Sequence, residues 1–147
     1  MSLRSRSREI AMQALYQLEA QPLLDPTDIE NFLKRRLHQP VFIDFAKELV
    51  VGVQNNLSEI DRELADLAKN WRVERMAATD RAILRMAVYE IGFMDTPRAV
   101  VADEAIELSK RYGAASSSRF VAGIVGHLVK HPMKKDQDAV GRSKEKE

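Results

Sequence analysis

The segment Asp80–Phe93, DRAILRMAVYEIGF, places the strongest constraint on the fold. Ile83, Leu84, Ala87, Val88 and Ile91 recur at helical spacing, and Thr79 stands before them as a candidate cap. A helix this apolar needs cover from several neighbours, so it is expected at the centre of a bundle. The flanking sequence supplies such neighbours. Arg4 to Ala20 reads as a first helix with Ile10, Ala11, Ala14, Leu15 and Leu18 inward, ended by Pro22. Asp25 then offers an N-cap with Pro26 at the first helical position, followed by Ile29, Phe32, Leu33 and Leu37. A turn around His38–Pro40 leads to a third helix carrying Phe42, Phe45, Ala46, Leu49, Val50 and Val53, which Asn55–Asn56 breaks.

Ser58 with Asp61 resembles a capping box and opens a fourth helix to about Asn70, with Ile60, Leu64 and Leu67 inward. Trp71 is expected as a core plug at the junction between the two halves of the chain. After the loop Asp95–Pro97 come two more helices within Val100–Gly126. The first has Val101, Ala105, Leu108 and Tyr112 on one stripe and stops at Gly113. The second follows hydroxyl caps at Ser116–Ser118 and buries Val121, Val125 and Leu128. Strand-like alternation, a glycine-rich phosphate loop and internal repeats are all missing from the sequence. The expected fold is therefore all-α, a bundle of about seven helices. Residues 1–132 are read as one domain. Residues 133–147, charged and without aromatics, are read as a disordered tail.

Composition removes several classes of function. A net charge of +1 leaves no overall field to attract nucleic acid, so any such role rests on local clustering. With no cysteine there are no disulfides, thiolate zinc sites or cysteine nucleophiles. Apolar runs fall short of the roughly 20 residues a membrane helix needs, and the basic N-terminus has no signal-type apolar core. A cytoplasmic protein without membrane contact is expected.

Catalytic chemistry is not evident. His127 and His131 share a helical face at metal-compatible spacing, but no carboxylate nearby completes a set, and a helix-end histidine pair is the simpler reading. Asp103 and Glu107 also share a face, with Lys110 and Arg111 following Glu107 at ion-pair spacing. Ser116–Ser118 lack a nucleophile-elbow context. Neither an enzyme nor a cofactor or metal site is expected.

Binding is better supported. Arg4, Arg6 and Arg8 form a basic N-terminus in which Arg4 and Arg8 point one way along a helix and Arg6 nearly opposite. Such a cluster suits either a phosphate backbone or a solvated helix end. Tyr16 fits either a base-stacking ring or a core edge. Arg119–Phe120 repeats the pairing of cation with ring near the far end of the chain, and two such pairs favour single-stranded RNA.

The stretches RSRSREIAMQALYQLE, DRAILRMAVYEI, VVADEAIELSKRYG and SRFVAGIV, in that order and over Arg4 to about Leu128, resemble the bacterial transcription antitermination family NusB. The resemblance implies two packed three-helix subdomains plus an additional helix, and a non-catalytic role. It implies binding of the box A element of nascent RNA together with ribosomal protein NusE, within an RNA polymerase antitermination complex. By position it assigns RNA contact to Arg4, Arg6, Arg8, Tyr16, Ser116, Ser118, Arg119 and Phe120. Asp80 would be a partner contact, or simply an acid favoured at a helix N-terminus. Homodimers that cover the arginine face are known among relatives and are a further expectation. The chain departs from the family pattern at Ser5, Asp103, Ser116 and Ala122; the loss of an acid at Ser116 favours phosphate binding. Two other readings are an adaptor without RNA specificity and a stand-alone relative of the accessory domain of ribosomal RNA methyltransferases.

Overall fold

A computed structural model describes residues 2–130, so the expected tail at 133–147 and His131 lie outside the described residues. Among them are seven α-helices: α1 Leu3–Ala20, α2 Pro26–Arg36, α3 Pro40–Asn55, α4 Leu57–Leu67, α5 Ala78–Phe93, α6 Arg98–Tyr112 and α7 Ser117–Lys130. One 3-10 turn, Val73–Arg75, lies between α4 and α5, and no strand is present among the described residues.

Several boundaries follow from local chemistry. Asp25 accepts a hydrogen bond from the Thr27 N–H at 2.8 Å, and Pro26 opens α2. At the end of α3 the Asn56 backbone N–H and side-chain amide both donate to the Gly52 carbonyl, at 3.1 and 2.8 Å. Two expected caps are corrected. α4 begins at Leu57 without a side-chain cap, and Asp61 instead accepts from Arg85 of α5 through Nε and Nη2, both at 2.8 Å. α5 begins at Ala78, so Thr79 lies inside its first turn. The approach to α5 is held by Arg81, whose Nη1 donates to the carbonyls of Val73 at 3.1 Å and Met76 at 2.7 Å while its other nitrogens reach Glu19.

α5 is central, packing against α1, α3, α4, α6 and α7. Ile83, Leu84, Ala87, Val88 and Ile91 are all buried, as the sequence pattern requires. α1–α3 form one three-helix group and α5–α7 another, with α4 lying against α5 and α7. Each fully buried side chain such as Leu33, Leu49, Ile60 or Leu64 contributes about 1.5–3 kcal/mol. α3 and α5 approach closely at Gly52, where a Cβ would sit 2.0 Å from Cζ of Tyr89. Trp71 is not the core plug expected. It is 59% exposed, because it falls in the short connection between the α4 C-cap at Ala68 and the Val73–Arg75 turn, past the inward stripe of α4.

Candidate nucleic-acid interface

The N-terminus of α1 carries the basic cluster, and its helical phase divides the arginines. Ser2 caps the helix through the Ser5 N–H at 3.0 Å. Arg4 and Arg8 fall one turn apart, with guanidinium carbons 4.8 and 5.2 Å from the centre of the Phe45 ring. Their fates differ. Arg4 is exposed, whereas Arg8 is 4% exposed. The Arg8 Nε donates to both carboxylate oxygens of Glu90, at 3.2 and 3.0 Å, and its Nη1 lies 3.7 Å from Glu104. Glu90 is further held by the Thr96 hydroxyl at 2.9 Å, and Glu104 by the Ser5 hydroxyl at 2.6 Å. A guanidinium enclosed in this way has no surface to offer a phosphate. The structure thus moves Arg8 from the expected contact set into the core.

Arg6 points the other way, into a cluster built on Glu9. That carboxylate is buried and accepts from Arg6 at 2.7 Å, from Arg111 at 2.9 Å and from the Tyr112 hydroxyl. The side chain of Gln13, one turn on, donates to the Tyr112 oxygen at 3.1 Å. Arg6 and Arg111 keep 42% and 46% of their side chains exposed. One buried acid therefore holds two half-exposed guanidinium groups from different helices, and such donors can fix a nucleic-acid backbone. Burial and the hydrogen bond to Glu9 push the Tyr112 phenol above its ordinary range. Tyr16, two turns beyond Arg8 on α1, is 47% exposed.

The link from α6 to α7 is the other part of the candidate surface. Gly113 ends α6 with φ −85°, so no left-handed turn is needed; the demand for glycine is steric. A Cβ there would lie 2.3 Å from Cβ of Ser117 and 2.7 Å from the Ser109 carbonyl oxygen. Ser117 is buried and its hydroxyl donates to Asp80 at 3.1 Å. Asp80, in the first turn of α5 where an acid is favoured, is 6% exposed and its carboxylate meets Ser117 of α7. Ser116 and Arg119 are exposed, Ser118 and Phe120 half-buried. The Phe120 ring meets Trp71 edge to face, with centroids 5.2 Å apart.

The structure thus joins Arg6 to the end of α6, which leads through Gly113 to Ser116–Phe120. Sequence reasoning misses Arg111 and Tyr112. Helical spacing puts Tyr112 on the inward stripe of α6, and only its position one step from Gly113 hints that it lies where the helix leaves the core. The expected ion pairing on α6 is present as Lys110–Glu107 at 3.6 Å. Among the described residues no group of three or more His, Asp or Glu is placed to hold a metal, and no helix is long and apolar enough to cross a membrane.

A family model described as the NusB family matches residues 5–130. A transcription antitermination protein NusB of Symbiobacterium thermophilum is 43% identical over 136 residues, covering 86% of this chain and 89% of that protein. One of Sorangium cellulosum is 37% identical over 139 residues, covering 94% of this chain and 99% of that protein. A solved structure of T. maritima NusB superimposes with a TM-score of 0.77 at 34% identity, over 91% of this chain and 96% of the other. The same fold occurs in a crystal structure of antitermination factors NusB and NusE in complex with dsRNA, with a TM-score of 0.79 at 21% identity over 90% of this chain and 99% of the other.

Proposed function

The chain belongs to the NusB family, and from that premise we propose that it is a transcription antitermination factor that binds box A RNA together with ribosomal protein NusE. In this reading it acts without catalysis, in the cytoplasm, as part of an RNA polymerase antitermination complex that reads through terminators. Residues 1–132 serve as one RNA-binding domain. The observation that carries RNA binding is the Glu9 cluster, in which one carboxylate holds both Arg6 of α1 and Arg111 of α6. Arg4, Arg6, Arg111 and Arg119 hold phosphates, Tyr16 and Phe120 stack on unpaired bases, and Ser116 and Ser118 donate hydroxyls from the α6–α7 link. Arg8 and Asp80 support this surface from beneath.

The deciding measurement is a gel shift of box A RNA against a scrambled RNA of equal composition, with and without NusE. Preferential retention of box A, strengthened by NusE, is expected. Equal retention of both RNAs under every condition would leave only a protein adaptor.

A further inference from the structure

Trp71 is an anomaly for a folded chain of this kind. Its backbone is fixed, the N–H donating to the Ala68 carbonyl at 2.8 Å, and Val73 two residues on is buried. Yet the largest side chain in the protein stands 59% exposed. It walls a hollow of about 470 Å³ whose other side is the outer face of α7, with Phe120, Gly123 and His127, and whose rim carries Lys69 and Arg119. A second hollow of about 560 Å³ lies against Trp71 on the side of Asp61 and Arg85. The indole is therefore a blade between two open spaces. Gly123 has nothing within 4 Å of where a Cβ would be, which keeps the α7 side of the first hollow wide.

We infer that the Trp71–Phe120 hollow is a nucleotide subsite, in which an unpaired RNA base stacks on the indole while Lys69 and Arg119 take the flanking phosphates. The inference rests on the RNA-binding reading and extends it beyond the Arg–Phe pair to the α4–α5 connection. Its chemistry follows from the lining. Two aromatic rings set at 71° offer one a face and the other an edge, an arrangement that accepts a flat heterocycle beside the indole. Among the described residues Lys69 and Arg119 make no ion pair, and Asp66 is the sole acid lining the hollow, so the balance of charge is positive. A docking helix of another protein would need a longer apolar groove than one bounded at its rim by two cations. Arg119 and Phe120, which line the hollow, lie in the first turn of α7 directly after the α6–α7 link.

Trp71 is the one tryptophan in the sequence, which makes it a reporter. The full chain is titrated with single-stranded box A RNA bearing a terminal fluorophore, following RNA anisotropy and tryptophan emission together, with and without NusE. The expected result is quenching of Trp71 with the same midpoint as the anisotropy rise. Trp71→Leu should weaken binding about tenfold while melting like the parent, and Trp71→Phe should recover most of that loss. Three outcomes overturn the inference. If anisotropy rises but emission stays constant and Trp71→Leu binds like the parent, RNA binding stands and the hollow lies outside it. If emission changes on adding NusE alone and not on adding RNA, the hollow belongs to a protein contact. If anisotropy does not rise with any RNA, the RNA-binding reading and the subsite fall together.

Discussion

Arg8 and Glu90 form a two-pronged ion pair joining α1 to α5, with only 4% and 2% of their side chains exposed. The Phe45 ring lies 5.2 Å from the Arg8 guanidinium carbon, and the Thr96 hydroxyl donates to Glu90. A buried pair of this kind is costly to break from one side, because the survivor remains charged in a dry setting. Arg8→Met or Glu90→Leu should each lower stability by about 3–5 kcal/mol in chemical denaturation. The joint replacement Arg8→Met with Glu90→Leu should lose far less than the two single losses added. Additive losses in that cycle would show that the pair is not coupled.

Affinity for RNA should divide the arginines differently from stability. Arg4→Ala and Arg6→Ala remove cations that reach solvent, and without Arg6 the buried Glu9 carboxylate keeps Arg111 and the Tyr112 hydroxyl as partners. Both variants should fold normally. Together they should flatten the dependence of log K on log salt by about 1.4, since each phosphate of a single strand left without its arginine lowers the slope by about 0.7. An unchanged slope would take the N-terminus of α1 out of the interface.

High pH should act through Tyr112. Its folded pKa is raised, chiefly by burial and then by the hydrogen bond and charge of Glu9, so the folded state holds the proton more tightly than the unfolded chain. The linked stability is present below the ordinary phenol value of about 10 and is lost as pH rises through the folded value above it. Phenolate absorbance should show Tyr112 ionising later than a free tyrosine. Glu9→Gln should bring it earlier, since the charge that opposes ionisation is gone. An unchanged titration in that variant would remove Glu9 as a cause.

Arg81 should govern the connection between α4 and α5. Its guanidinium is mostly buried and gathers the carbonyls of Val73 and Met76. Lysine cannot reproduce that fork, so Arg81→Lys should cost about 1–2 kcal/mol despite keeping the charge. Hydrogen exchange should accelerate at Arg75 and Met76, whose N–H groups bond to Arg72 and Val73. Equal protection in parent and variant would show that the turn holds without Arg81.

The helices are largely legible in the sequence because apolar spacing and proline or asparagine punctuation act locally. Asp25 and Pro26 begin α2, and the pattern from Ile83 to Ile91 marks the central helix. What is not legible depends on partners distant in sequence. The periodicity of α1 places Arg8 opposite Arg6, but nothing local says that Glu90, far along the chain, waits to bury it. Asp80 has the composition of a surface acid until Ser117 is brought against it. Asp61 resembles a cap because Ser58 precedes it, and Arg85 of α5 outcompetes that local bond. Hydrophobicity alone points Trp71 inward; it says how much a ring gains from cover but not whether the backbone turns it toward any.

The Glu9 cluster has a consequence for the speed of recognition. Ser5 is fastened to Glu104, and Glu9 to Arg111 and Tyr112, so the end of α1 is already folded against α6 before any ligand arrives. A strand meeting this surface need not wait for a segment to order. Association should therefore be governed by electrostatic encounter, fast at low salt and slowing steeply as salt is added, without the large heat-capacity change of a segment that folds on its target.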